Sequence, residues 1–119
     1  MLRVLLVEDE WLIATCTCSA LEHAGYHVTL AGDGQAGLEI VQREAPQFII
    51  TDYMMPRMDG MTMIRLVREH GYAGPIILIT ATPEHDLPER WFYDAYMPKP
   101  CKDEDLLAMM STCATQRRS

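Results

Sequence analysis

The stretch of sequence that decides the fold is FIITDYMMPRMDG, residues 48–60. Its first four residues are apolar or β-branched, which predicts a strand that ends on the carboxylate of Asp52. Asp59 is typical of a helix cap, and apolar residues at helical spacing follow it as far as about His70. A strand, a short loop and an amphipathic helix in this order indicate one βα unit of a parallel sheet.

The same alternation extends in both directions along the chain. The predicted strands are residues 2–7, 27–31, 48–52, 76–80 and 95–97, and the predicted helices are residues 11–24, 35–44, 59–70 and 103–112. In the first helix five apolar residues share helical spacing, which predicts that they face the core: Ile13, Cys16, Ala20, Leu21 and Ala24. Within residues 82–94, Pro88 would break a helix interior, so we expect the fourth helix to be irregular or shortened. Five βα units predict an α/β domain with a doubly wound parallel sheet and helices on both faces.

The composition and charge of the chain disfavour several classes of function. The chain has 119 residues, the size of one domain, and its formal net charge of −7 disfavours binding to nucleic acid. It contains neither a run of about 20 apolar residues nor a secretory pattern at its start, so we expect no membrane partner and a cytoplasmic location. The four cysteines and four histidines lack the spacing of a zinc site, and we expect reduced, structural thiols.

Polar side chains stand where the predicted strands end. They are Glu8 and Asp9 after the first strand, Asp52 after the third, Thr80 at the end of the fourth and Lys99 after the fifth. Ligands of open parallel sheets bind outside these carboxyl ends. Crowded carboxylates repel one another, and a set of oxygen ligands at an open cleft suits Mg²⁺. Lys99 and Thr80 add the positive charge and the hydroxyl donor that hold a phosphoryl group.

These motifs resemble those of response-regulator receiver domains, the phosphoacceptor modules of two-component signalling. The matching segments are VLLVED at residues 4–9, DYMMPRMDG at residues 52–60, Thr80-Ala81 and Lys99-Pro100. The string DxxMPxMDG is highly specific, and the likeness covers almost the whole chain. It implies a flavodoxin-like fold similar to that of chemotaxis regulators, with strand order 2-1-3-4-5.

The resemblance also implies how the acidic residues act. Asp52 would accept a phosphoryl group from a phosphohistidine on a histidine kinase or a histidine phosphotransfer protein. Asp9, Asp52 and the backbone carbonyl of Met54 would ligate Mg²⁺, and Glu8 would act through water. Glu8 replaces an aspartate that is commoner in the family, a change that leaves metal binding intact.

The remaining roles concern the phosphoryl group and its readout. Thr80 and Lys99 would contact the phosphoryl oxygens, and Tyr96 matches the aromatic whose rotamer is coupled to Thr80. A downstream protein, or a second copy of the chain, would read phosphorylation on the face formed by the fourth helix, the fifth strand and the fifth helix. Met54 and Thr82 flank the position of the attacking water in the family. Neither is a general base, so we expect slow autodephosphorylation and no enzymatic role beyond self-catalysed phosphoryl transfer.

Three structural expectations accompany this interpretation. Residues 1–115 form the receiver domain and residues 116–119 a loose tail, and because no output domain follows, the chain is a stand-alone or an excised receiver. The resemblance favours a cis peptide bond between Lys99 and Pro100. Four aromatic residues lie just before or within the fifth strand: Trp91, Phe92, Tyr93 and Tyr96. We expect Phe92 to pack inward and part of the surface of the other three to be exposed to a partner.

Three other functions deserve comparison. A phosphatase of the haloacid dehalogenase type also uses an aspartate nucleophile at a strand end, but it needs a second aspartate where this chain has Met54. A flavodoxin-like nucleotide binder needs a Ser/Thr/Gly-rich loop after the first strand, where the acidic residues 8–10 would repel phosphate. An adaptor receiver that works without phosphorylation is disfavoured by the intact acidic residues, Thr80 and Lys99.

Overall fold

The elements follow the predicted alternation closely. The structure, a computed structural model, describes residues 2–88 and 92–118, with side chains described through residue 115. The strands are β1 (Arg3–Val7), β2 (His27–Ala31), β3 (Phe48–Thr51), β4 (Ile76–Thr80) and β5 (Ala95–Pro98). The helices are α1 (Trp11–His23), α2 (Gly34–Glu44), α3 (Gly60–Glu69) and α4 (Asp103–Arg118). All five strands therefore lie within one residue of their predicted bounds.

The strands form one parallel sheet of order β2-β1-β3-β4-β5, which confirms the predicted fold class and strand order. Along β3 the side chains alternate between the two faces of the sheet. Ile49 packs in a core with α2 and α3, whereas Phe48 and Ile50 pack in a second core with α1 and α4. Because both faces are covered, every residue of β3 and β4 is buried.

Two helices depart from their predictions. In α1 the buried residues are Ala14 and Leu21. Ile13 and Cys16 are exposed, as is Ala24 at the C-cap, so the predicted inward face is wrong at these three positions. The apolar residues of this helix are spread around its circumference, and the burial of Ala14 turns Ile13 outward. Helix α4 continues to Arg118, six residues beyond its predicted end, and so includes residues 116–118 of the segment expected to be a loose tail. Cys113 is buried and extends the apolar stripe of this helix by one turn.

The segment between β4 and β5 confirms the expectation of an irregular fourth helix. Within its described part the only helical turn is a 3-10 turn at Glu84–Asp86. Arg68 of α3 anchors the end of this segment with two hydrogen bonds. Its Nε donates to the Phe92 carbonyl at 2.9 Å, and its Nη2 donates to Asp94 Oδ2 at 3.0 Å. The Tyr93 hydroxyl donates to Glu84 Oε2 at 2.6 Å and closes the segment on itself.

The aromatic residues before β5 are more enclosed than predicted. Phe92 packs against the core, as predicted. Tyr93 is buried and Tyr96 is half-buried against the same core, so the expected exposed aromatic surface is not found at Tyr93 or Tyr96. Trp91 lies outside the described residues. In the part of the chain that the structure describes, no helix has the length and apolar character needed to cross a bilayer.

Candidate functional site

The parallel register brings the acidic residues together. Val7 at the end of β1 pairs with Thr51 at the end of β3, so the next residue of each strand, Glu8 and Asp52, lies at the same edge of the sheet. The Asp52 N–H donates to the Val7 carbonyl at 3.0 Å and extends this pairing by one residue. Carboxylate oxygens of Glu8, Asp9 and Asp52 all lie within 4.8 Å of one another. This edge is also where the strand order reverses, between β1 and β3.

Lys99 reaches the same cluster from β5. The Lys99–Pro100 peptide bond is cis, as predicted. The Lys99 N–H donates to the Thr80 carbonyl at 3.0 Å, and its Nζ donates to Glu8 Oε1 and to Asp52 Oδ2, each at 2.6 Å. One ammonium group therefore bridges carboxylates that follow two different strands.

Burial and charge set the protonation of this cluster. Burial raises the pKa of Glu8, and the hydrogen bond from Lys99 opposes that rise. For Lys99, burial disfavours the charged form, but the hydrogen bonds to Asp52 and Glu8 outweigh it and raise the pKa. Lys99 therefore stays protonated, so one ammonium group faces a cluster of three carboxyl groups. The excess of negative charge favours a divalent cation.

Thr80 and Tyr96 both bond to the backbone of Thr82, at the start of the segment after β4. The Thr82 N–H donates to Thr80 Oγ1 at 3.1 Å, and the Tyr96 hydroxyl donates to the Thr82 carbonyl at 2.7 Å. Thr80 is buried, and its hydroxyl keeps a proton to donate. Thr80 and Tyr96 are thus linked through the backbone of Thr82, whose N–H bonds to Thr80 and whose carbonyl bonds to Tyr96.

The loop between β3 and α3 carries Met54 and closes beside Asp52. The Asp52 side chain accepts from the Tyr53 N–H at 2.6 Å, and the Gly60 N–H donates to the Tyr53 carbonyl at 2.7 Å. A Cβ at Gly60 would overlap the Asp52 carbonyl oxygen and lie 3.1 Å from Tyr53 Cα. This close approach of backbone explains why the motif ends on glycine.

Replacing Gly60 by alanine is expected to lower the free energy of unfolding by about 2 kcal/mol, in the range for overpacking a tight site. The colliding atoms belong to the backbone, which cannot turn aside as a side chain can. Gly32→Ala is the matched control, because nothing lies within 4 Å of a Cβ at Gly32. Thermal and urea unfolding would measure the stability of both variants. Equal stability would show that the loop backbone can shift to accommodate a Cβ at Gly60 without a measurable cost.

Sequence reasoning missed an apolar rim, a set of exposed large apolar side chains that lie next to the acidic residues along the chain. Among the described residues, the exposed large apolar side chains are Trp11, Leu12, Ile13 and Met54. The first three begin α1 directly after Glu8–Glu10, and Met54 follows Asp52 by two residues. Helical spacing suggested a core face for Ile13; the position of these residues directly after the strand-end carboxylates was the signal for exposure at a site. Ile13 also lines a cleft of about 440 Å³ that Asp52 and Lys99 border.

Comparison with known proteins gives the family of the chain. The family model of the response regulator receiver domain matches residues 4–111. The chain is 38% identical over 112 residues to response regulator MprA of Mycobacterium leprae, covering 90% of this chain and 48% of that protein. It therefore spans about half the length of the curated relatives it matches.

Solved structures agree with this match. The CheY-like receiver domain protein of Methanospirillum hungatei superimposes with a TM-score of 0.91 at 25% identity, over 99% of this chain and 97% of that one. The response regulator TrrA of Thermotoga maritima, solved in complex with Mg(2+)-BeF, gives a TM-score of 0.87 at 27% identity, over 95% and 99% of the two chains. The chain belongs to the family of response-regulator receiver domains.

Proposed function

We propose that Asp52 is the phosphoacceptor of this receiver domain and takes its phosphoryl group from a phosphohistidine. The observation that carries the proposal is the convergence of the Asp52 carboxylate with Glu8, Asp9 and the Lys99 ammonium group. A carboxylate attacks an anionic phosphoryl group only when nearby cations offset the repulsion between them. Lys99 supplies one such cation within hydrogen-bonding distance of the nucleophile.

The acidic cluster fits a magnesium ion. Its donors are oxygens, its carboxylates are close enough to share one cation, and Asp9 is exposed to solvent. Asp9, Asp52 and the Met54 carbonyl would hold the ion, with Glu8 acting through water. When bound, the ion would neutralise charge on the attacking carboxylate and on the phosphoryl group. The structure of TrrA with Mg(2+)-BeF supports this assignment by likeness.

In the transfer step, an Asp52 oxygen attacks phosphorus as the bond from phosphorus to the imidazole nitrogen breaks. The electron pair of that bond leaves with the nitrogen, and the product is an aspartyl phosphate. Lys99 can move from the Asp52 carboxylate to a phosphoryl oxygen, since its ammonium group has three donors on a flexible stem. Thr80 can donate its hydroxyl proton to a second phosphoryl oxygen.

The domain acts on its own phosphoryl group and is not proposed to turn over a separate substrate. Met54 and Thr82 provide no general base for an attacking water, because a thioether and an aliphatic hydroxyl do not take up a proton at neutral pH. Slow autodephosphorylation follows, and with it a signal that outlasts the phosphorylation event.

The chain is proposed to be cytoplasmic, and its phosphoryl donor to be a histidine kinase or a histidine phosphotransfer protein. A donor must cover Asp52 to bring its histidine into reach, and the exposed apolar rim at Trp11, Leu12, Ile13 and Met54 offers the surface for such docking. The rim is the part of the described surface where large apolar side chains adjoin the acidic cluster.

Readout is proposed on the face formed by the 82–88 segment, β5 and α4, by a downstream protein or a second copy of the chain. The support is the path of hydrogen bonds from Thr80 through Thr82 to Tyr96. If Thr80 moves toward a phosphoryl group, its bond to the Thr82 N–H is lost or bent, and the start of this face shifts with it.

The test is phosphorylation of the wild-type chain by acetyl phosphate, and by a phosphorylated histidine phosphotransfer domain, followed by intact-mass spectrometry. We expect one added phosphoryl group in the presence of Mg²⁺ and none in the presence of EDTA. Modification that proceeds equally in EDTA would contradict the metal assignment. An unmodified mass with both donors in Mg²⁺ would overturn the phosphoacceptor function and favour an adaptor receiver.

A further inference from the structure

A charged pair joins the two loops that flank the acidic site. Arg57, in the loop after β3, donates from Nε to Asp33 Oδ2 at 2.9 Å, and its Nη2 donates to the same oxygen. Asp33 caps α2, because its Oδ1 accepts from the Ala36 N–H at 2.8 Å. The aspartate is only 3% exposed, whereas the arginine side chain is 76% exposed. A surface guanidinium thus reaches inward to a buried carboxylate.

The pair is charged at neutral pH. The hydrogen bond from the Ala36 N–H, together with the Arg57 guanidinium, holds the pKa of Asp33 below its usual range. Each oxygen of the carboxylate has its own partner, so the cap and the ion pair do not compete.

The pair adds to other contacts that hold the 53–59 loop, in which Tyr53, Met55 and Met58 pack against the core. The Gly34 N–H donates to the Met58 carbonyl at 3.1 Å, and a Cβ at Gly34 would overlap that carbonyl. Arg57 itself has a φ of +67°, in the left-handed region that non-glycine residues rarely adopt. The chain turns sharply at Arg57, three residues after Met54, and the side chain of the turning residue is the one that binds Asp33.

We infer that Arg57 is a positioning residue that, through Asp33, holds the 53–59 loop in the conformation from which the Met54 carbonyl binds Mg²⁺. The inference rests on the proposed function, since it concerns the same metal. The guanidinium of Arg57 bonds to Asp33 and not to a residue of the acidic cluster, so its proposed action is indirect: it fixes the backbone that carries one ligand. Groups that orient metal ligands typically change metal affinity by about 10–100-fold when they are removed.

The direction in which Mg²⁺ affinity changes when Arg57 is removed distinguishes a positioning role from a purely electrostatic one. Removal of a positive charge near a cation site tightens cation binding if charge alone matters. Removal of a positioning arginine weakens it, because the loop must pay an ordering cost before its carbonyl can bind. Arg57→Ala is therefore expected to weaken Mg²⁺ binding by about tenfold.

The experiment is calorimetric titration of the purified chain with Mg²⁺, alongside phosphorylation by acetyl phosphate at rising Mg²⁺ concentration. For Arg57→Ala we expect the weaker affinity and a phosphorylation rate that returns close to the wild-type value when Mg²⁺ saturates. A merely structural role would lower the melting temperature and leave the Mg²⁺ affinity unchanged, which would overturn the inference. If the wild type itself binds no Mg²⁺, the proposed function fails first.

Two further variants isolate the side chain from the backbone turn. Arg57→Gly relieves the left-handed conformation yet removes the ion pair, so it should lose as much Mg²⁺ affinity as alanine. Arg57→Lys keeps the charge and is expected to recover part of the affinity, and it serves if the alanine variant fails to fold. Arg65→Ala is the matched control, because Arg65 lies on α3 in an exposed pair with Glu69 at 3.8 Å. Full affinity in Arg57→Gly would overturn the inference.

Discussion

Replacement of Asp52 by asparagine is expected to abolish phosphorylation of the chain while leaving the fold intact. Asparagine has nearly the same shape, and its oxygen can still accept from Lys99 or from the Tyr53 N–H. It lacks the anionic oxygen that we propose attacks phosphorus, so no acyl phosphate should form. Intact-mass spectrometry after incubation with acetyl phosphate and Mg²⁺ would show the unmodified mass.

Asp59→Asn is the matched control for this variant. Asp59 ends the same motif, but its carboxylate caps α3 by accepting from the Thr62 N–H at 2.7 Å. Asparagine caps a helix about as well as aspartate, so this variant should fold and be phosphorylated like the wild type. An Asp52→Asn chain that still gained a phosphoryl group at the wild-type yield would move the acceptor to another residue.

The fold was predictable because strands that are buried on both faces of the sheet leave a recognisable pattern in the sequence. The fully buried strands β3 and β4 read as short apolar runs, and Gly25, Pro46 and Gly71 mark the ends of helices in the sequence. The site followed from topology: parallel strands bring their carboxyl ends to one edge, so Glu8, Asp52 and Lys99 were predicted to meet from positions far apart in the chain.

What could not be predicted depends on contacts between loops and on small differences in burial. Arg57 and Asp33 lie in two separate loops, and no periodicity relates one loop to another. In α1 the apolar residues occur on several sides, so spacing alone could not say that Ala14 would be buried and Ile13 exposed. Tyr93 is buried with its hydroxyl bonded to Glu84, a partner supplied by a 3-10 turn that has no clear sequence pattern.

Replacement of Lys99 by alanine is expected to change Mg²⁺ binding and phosphorylation in opposite directions. The ammonium group lies 2.6 Å from both Glu8 and Asp52 and competes with a cation for their oxygens. A unit charge and a divalent cation about 4 Å apart repel by roughly 2 kcal/mol even in bulk water, so its loss should tighten Mg²⁺ binding by roughly tenfold or more.

Phosphorylation of the same variant is expected to slow by about 10²–10³-fold, the usual cost of losing one preorganised donor to a developing charge. The loss should persist at saturating Mg²⁺, unlike that of Arg57→Ala, because Lys99 is proposed to act on the phosphoryl group itself. Lys102→Ala is the matched control, since Lys102 is exposed and three residues further along the chain. Rates would be followed by intact mass with acetyl phosphate, and affinities by calorimetry. A Lys99→Ala chain that is phosphorylated at the wild-type rate would show that the metal alone supplies the charge this chemistry needs.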